Sequence, residues 1–158
     1  MALPGTPKWV GRFAFNCLMA GKALLAPTAL GAHGLLVNRD GKVLLARHTY
    51  MQGLSLVGGG VGRGEPPEQA LLRELREELG PFRADPPVLM GIYTRRSGWA
   101  TNVIALYRLT NAEVDFRPNR EIREIVFVDP ARPPPDTTAG VRRRLAEHLG
   151  AAPLSPFW

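Results

Sequence analysis

Short apolar runs in "LGAHGLLV" (30–37) and "KVLLARHTY" (42–50), on either side of the turn signal "NRDG", predict two strands joined by a hairpin turn. "PVLMGIYTRR" (87–96) and "TNVIALYRLT" (101–110) read as two more, separated by "SGWA", and "IVFVDP" (125–130) as a short one. The period changes from about Pro67 to Leu79, where Leu71, Leu72, Leu75 and Leu79 recur at helical steps. Proline suits the first turn of that helix and Gly80 its end. "DTTAGVRRRLAEHLG" (136–150) predicts a final helix, capped by Asp136 or Thr137 and stopped at Gly150. Strands outnumber helices and most sequential pairs suit antiparallel pairing. The expected fold is therefore α/β: a mixed, partly antiparallel sheet with helices on both faces.

The N-terminal pattern differs. Trp9, Phe13, Cys17, Ala20 and Leu24 recur at three- and four-residue steps, while Arg12, Asn16 and Lys22 lie off that stripe. This predicts an amphipathic helix that packs on the domain or on a second subunit, with membrane-surface contact as the alternative. Arg12, Lys22 and Pro27 interrupt any apolar run long enough to span a bilayer. The chain divides into a helical extension (1–28), one globular domain (29–150) and a tail, "AAPLSPFW" (151–158), read as a docked or loose coil.

Composition narrows this picture. A chain of 158 residues with 45% hydrophobic and 22% charged residues suits a soluble globular domain. The single Cys17 excludes an internal disulfide framework. A net charge of +6 favours anionic partners such as nucleotides, nucleic acid or acidic lipid. A cytoplasmic location is expected.

Against that positive balance, "GGGVGRGEPPEQALLRELREELG" (58–80) crowds its carboxylates together. Successive helical residues turn by about 100°, so Glu74, Glu77 and Glu78 share one edge beside the leucine face. A solvated ion-pair face, with Arg73 reaching Glu77, is the plain reading. The preceding loop favours another. Gly58, Gly59, Gly60, Gly62 and Gly64 let backbone approach a ligand closely. A side-chain-poor loop entering an acidic helix suits a hard divalent cation, Mg²⁺ or Mn²⁺, placed between carboxylates and an anionic polyphosphate.

These residues resemble the signature box of the Nudix hydrolases: Gly59, Glu65, Arg73, Glu74, Leu75, Glu77, Glu78 and Gly80 fall at its spacing. Pro81 departs from the apolar residue that ends the box, and Val57 and Gly62 stand where many relatives have Pro and Glu. The resemblance covers about residues 30–150. It implies an α/β/α sandwich around a mixed sheet, and attack of water on phosphorus to split a diphosphate joined to another moiety, usually a nucleoside. It implies Glu77 and Glu78 as metal ligands with the Gly59 carbonyl, and Glu74 as a ligand or the base that activates water. Arg73 would orient the glutamates, and Glu65 would support Arg73. Some relatives place the base in a later loop, where Glu121 and Glu124 are the candidates and Glu121 is preferred. Losing the acid at Gly62 leaves the number of metals open.

The substrate is weakly encoded. Arg95, Arg96 and Trp99 sit in or near a loop that could overhang the site, Arg holding phosphate and Trp99 stacking on a base; surface packing is the competing reading of Trp99. His33 and His48 read as strand residues. Arg142, Arg143 and Arg144 read as a solvated basic face. The expected partner is a small nucleotide-type diphosphate; nucleic acid is not expected, and a homodimer is open. The competing functional classes are a Nudix-like module that binds a nucleotide or RNA without turnover, and a basic membrane-surface protein.

Overall fold

The computed structural model of the chain describes residues 8–25 and 27–158. In chain order its elements are α1 (Lys8–Leu25), β1 (Thr28–Leu36), β2 (Val43–His48), β3 (Val57–Gly60), α2 (Pro67–Leu79), β4 (Phe82–Arg83), β5 (Val88–Ser97), β6 (Ala100–Leu109), β7 (Glu113–Val114), β8 (Ile122–Val128) and α3 (Ala139–His148). The main sheet runs β3-β1-β6-β5; β1 and β6 are parallel and the other two pairings antiparallel. It is the expected mixed sheet.

Strand alternation distributes the apolar side chains between two cores. Ala32 and Leu36 of β1, and Ala105, Tyr107 and Leu109 of β6, meet Ala70, Leu71, Leu75 and Leu79 of α2. Leu35 of β1, and Ile104 and Leu106 of β6, face the other way, toward Val141 and Leu145 of α3. Strand β2 contributes to both, with Leu44 and Ala46 on the α2 side and Val43 and Leu45 on the α3 side. Helices therefore flank the sheet on both faces.

Three local expectations change. The "NRDG" turn forms, with the Asn38 side-chain oxygen accepting from the Asp40 and Lys42 amides. Yet β1 and β2 share only the Val37–Val43 bridge before diverging, and β2 pairs with β8 instead. The first glycines are not loop: Val57–Gly60 is strand β3, registered against Gly31–Gly34. The cap of α3 is Thr138, without a side-chain bond, because Asp136 is drawn into an ion pair with Arg47 at 2.8 Å. Helix α2 keeps its expected ends: Pro67 opens it, and Gly80, at φ 74°, closes it with its amide on the Arg76 carbonyl.

Helix α1 forms, but Phe13, Cys17, Ala20 and Leu24 of its stripe are exposed, so no packing of these residues on the domain accompanies it. The side chain of Trp9 lies outside the described residues. Among the described residues no helix is long and apolar enough to cross a membrane.

Candidate active site

Strand β3 lies beside α2 because the glycines leave room for it. At Gly58, φ is 130° and a Cβ would run into the Ala32 carbonyl of β1. At Gly59 a Cβ would overlap the carboxylate of Glu74. The Glu74 carboxylate thus rests on the backbone of Gly59, with no side chain between them.

Arg73 locks this arrangement. Its Nε and Nη2 donate to Glu65 at 3.0 Å each, Nη1 to Glu74 Oε1 at 2.6 Å, and Nη2 also to the Gly60 carbonyl at 3.1 Å. The planar guanidinium fork suits such paired acceptors. Glu65 also accepts from the Gly62 amide at 2.8 Å. These bonds from Arg73 and then from Gly62 hold the Glu65 carboxyl below its usual range. Glu65 and Glu74 in turn keep the Arg73 guanidinium protonated well beyond its ordinary value.

The other two glutamates differ. The Glu77 side chain is 62% exposed, with Arg73 Nη1 at 3.7 Å. Glu78 is buried: one oxygen accepts from the Gly58 amide at 2.8 Å, and the other lies 3.4 Å from His48 Nε2. His48 Nδ1 meets Ser55 Oγ at 2.8 Å, completing a polar chain under β3. Among the described residues no three His, Cys, Asp or Glu side chains already gather as a cation site. Glu121 is exposed in the turn before β8, which Asn119 pins by donating to the Glu78 carbonyl and accepting from the Glu121 amide. Burial, and then the charges of Glu78, Glu121 and Glu74, raise the Tyr50 hydroxyl above its usual range. Glu124 is occupied by Arg47 at 2.7 Å.

A cavity of about 560 Å³ opens beside this edge, a size that suits a small-molecule ligand. Gly58, Gly59 and Gly60 line it, together with His33, Arg95, Gly140, Arg143 and Trp158. Among its described lining residues Arg95 and Arg143 carry charge and none is acidic, which favours an anionic guest.

The family model of the NUDIX domain matches residues 27–151. The chain belongs to the Nudix hydrolase family. Its fold is also that of solved structures, a Nudix hydrolase among them. A MutT Nudix hydrolase from Burkholderia pseudomallei superposes with a TM-score of 0.65 at 22% identity, covering 75% of this chain and 95% of the other. The E. coli ORF135 protein superposes at 0.62 and 22% identity, covering 82% and 96%. A curated relative, the RNA pyrophosphohydrolase of Gluconobacter oxydans (strain 621H), is 42% identical over 66 residues, 40% of this chain and 35% of that protein. That of Proteus mirabilis (strain HI4320) is 44% identical over 55 residues, 35% and 31%. The chain spans about a third of the length of these relatives.

Within this Nudix domain the residues singled out from sequence separate into groups. Glu74 meets both Gly59 and Arg73, with Glu77 and Glu78 on the same helix edge. Arg95 lines the cavity. Arg96 and Trp99 do not: Trp99 is 81% exposed at the tip of the β5–β6 hairpin. The basic run on α3 is not a free face. Arg142 donates to the carbonyls of Pro134 and Thr137, Arg143 to the Trp158 main-chain oxygen, and Arg144 is fully buried.

Sequence reasoning missed Tyr50, Arg143 and Trp158 as cavity residues, and took His33 and His48 as strand residues only. Burial holds the His33 imidazole near pKa 4, against the opposing pull of Glu78, so it is neutral at physiological pH. A lone glycine one residue into α3, and a tryptophan in a proline-rich tail, were the available signals.

Proposed function

We propose that this chain hydrolyses a diphosphate linkage in a nucleotide-type substrate with the help of Mg²⁺ or Mn²⁺. The observation that carries the reading is the Glu74 carboxylate resting on the Gly59 backbone and clamped by Arg73, with Gly58–Gly60 themselves part of the cavity lining.

The donor set fits a hard cation. Glu74, the exposed Glu77 and the Gly59 carbonyl offer oxygen ligands, and Mg²⁺ commonly takes one or two carboxylates, keeping its remaining positions for water and phosphate. Glu78 fits least well, since the Gly58 amide and His48 already face its oxygens. The bound cation would polarise phosphoryl oxygens and offset the charge of the diphosphate.

The chain's own groups do the rest. Arg95 and Arg143 draw the anionic substrate into the cavity. Arg73 fixes the Glu74 rotamer, so the carboxylate needs little reorganisation during reaction. Glu121 takes the proton of the attacking water. The new phosphorus–oxygen bond forms as the bridging one breaks, and the leaving group departs as a phosphate.

Mixing the chain with nucleoside diphosphate derivatives and with an RNA bearing a 5′-di- or triphosphate, the latter suggested by the relatives' name, tests this. Turnover with Mg²⁺ and none with EDTA is expected. Losing one ligand removes several kcal/mol of charge stabilisation, so Glu77→Gln should lower kcat about 100-fold or more. Its melting temperature should hold, since Glu77 is exposed. The competing reading is nucleotide binding without turnover, favoured by the prior engagement of Glu78; saturable binding with no product across the panel would establish it.

A further inference from the structure

The segment after α3 is built into the cavity wall. Its main chain extends the β5 edge: the Thr94 amide donates to the Pro156 carbonyl at 2.8 Å, and the Trp158 amide to the Thr94 carbonyl at 3.0 Å. Beneath it lies a buried charged latch. Arg144 Nη2 donates to Glu147 Oε1 at 2.6 Å, and Nη1 to the Phe157 carbonyl at 3.0 Å. Glu147 accepts from the Ser155 amide and from the Tyr93 hydroxyl, each at 3.0 Å. A buried ion pair is weak evidence for added stability, because desolvation offsets its attraction. What this one does is define a position.

The position it defines is that of the Trp158 indole. The ring is 5.8 Å from Tyr93 in an edge contact, 5.7 Å from His33, and 5.5 Å from the Arg144 guanidinium. Gly140 makes room for it: a Cβ there would lie 2.5 Å from the indole Nε1 and 2.8 Å from Cδ1. The indole is nevertheless only half-buried, and it lines the cavity. His33 links Trp158 to the glycine strand, its ring beside the indole and its backbone registered against Gly58. The cavity lining thus combines glycine backbone suited to phosphate with an indole suited to a planar ring, and includes Arg95 and Arg143.

We propose that Trp158 is a specificity-determining residue whose indole packs against the base of a base-bearing diphosphate, so that the 153–158 segment selects nucleotide substrates over bare polyphosphate. This rests on the proposed hydrolysis for its kinetic arm, but not for its binding arm. Such a wall is sequence-tolerant toward bases, because each presents a π-face.

Binding is read on the full chain carrying Trp9→Phe and Trp99→Phe, which leaves Trp158 as the sole tryptophan. Adding ADP should shift or quench its emission saturably, and inorganic pyrophosphate should not. A response to a 5′-diphosphorylated oligoribonucleotide with ADP inert would assign the base to an RNA end. Kinetically, Trp158→Ala should raise KM for the nucleotide substrate about 10-fold, a typical loss for one stacked base, with kcat within about 2-fold. Trp158→Phe should recover most of that loss. Gly140→Ala, which displaces the indole without removing it, should move KM in the same direction. Should Trp158→Ala fold poorly, the emission arm and Gly140→Ala still decide the matter. Equal emission responses to ADP and pyrophosphate, or unchanged KM in both variants, would overturn the proposal. Absence of turnover with an ADP-specific emission response would instead refute the hydrolysis and leave this proposal standing.

Discussion

Glu77 and Glu78 are neighbours in sequence and opposites in environment. The sequence places both on one acidic edge, yet Glu78 projects about 20° from Leu71 around the helix, at the margin of the buried face. Burial is tolerable there because the Gly58 amide and His48 meet its two oxygens. Glu77 projects about 100° further round and remains exposed. The spacing therefore revealed which carboxylates gather, whereas which of them faces water depends on β3, a partner distant in the chain. The Arg73–Glu65 pair was legible in the same pattern. The contact of Gly59 with Glu74 was not, because it depends on how closely β3 approaches α2. That contact makes Gly59→Ala a sharp probe. The added methyl must displace the Glu74 carboxylate from its place against the strand. Overpacking of this kind costs about 1–3 kcal/mol. Urea unfolding should show such a loss, and turnover should fall further than Gly59-to-Ala propensity alone would give. Wild-type stability and turnover in that variant would mean the close approach is unimportant.

At the scale of elements, α2 was fully legible, because its apolar period, opening proline and closing glycine all point the same way. Strand β3 was read as loop, since four residues rich in glycine carry no β propensity, and pairing with β1 decides their conformation. The β1–β2 pair was read as a hairpin, since a turn signal does not show where its flanking strands go next. Burial on both sides makes α2 the element on which core and site both depend. Leu75, fully buried one residue after Glu74, ties the two together. Leu75→Ala should destabilise the fold by about 2–5 kcal/mol, measured by chemical denaturation, through lost contacts and a residual cavity. A loss below about 1 kcal/mol would show that α2 carries little of the core.

At the scale of the whole molecule, the cavity is assembled from β1, β2, β3, β5, β6, α3 and the tail, segments as far apart as residues 29 and 158. No local pattern announces such a meeting, so from sequence Arg143 reads as part of a solvated face and Trp158 as tail coil, whereas Trp99 stands out although it lies at an exposed hairpin tip. The acidic helix edge and the glycine strand were legible because they are contiguous in sequence. They also carry the central claim, that a divalent cation is held where Gly59 meets Glu74 and Glu77. Titration of Mn²⁺ into the folded chain, followed by the loss of the free-ion paramagnetic resonance signal, tests that claim most directly. Saturable uptake by the wild type, weakened at least about 10-fold by Glu74→Gln and by Glu77→Gln at unchanged melting temperature, is the predicted result. No uptake, or the same affinity in all three proteins, would contradict it.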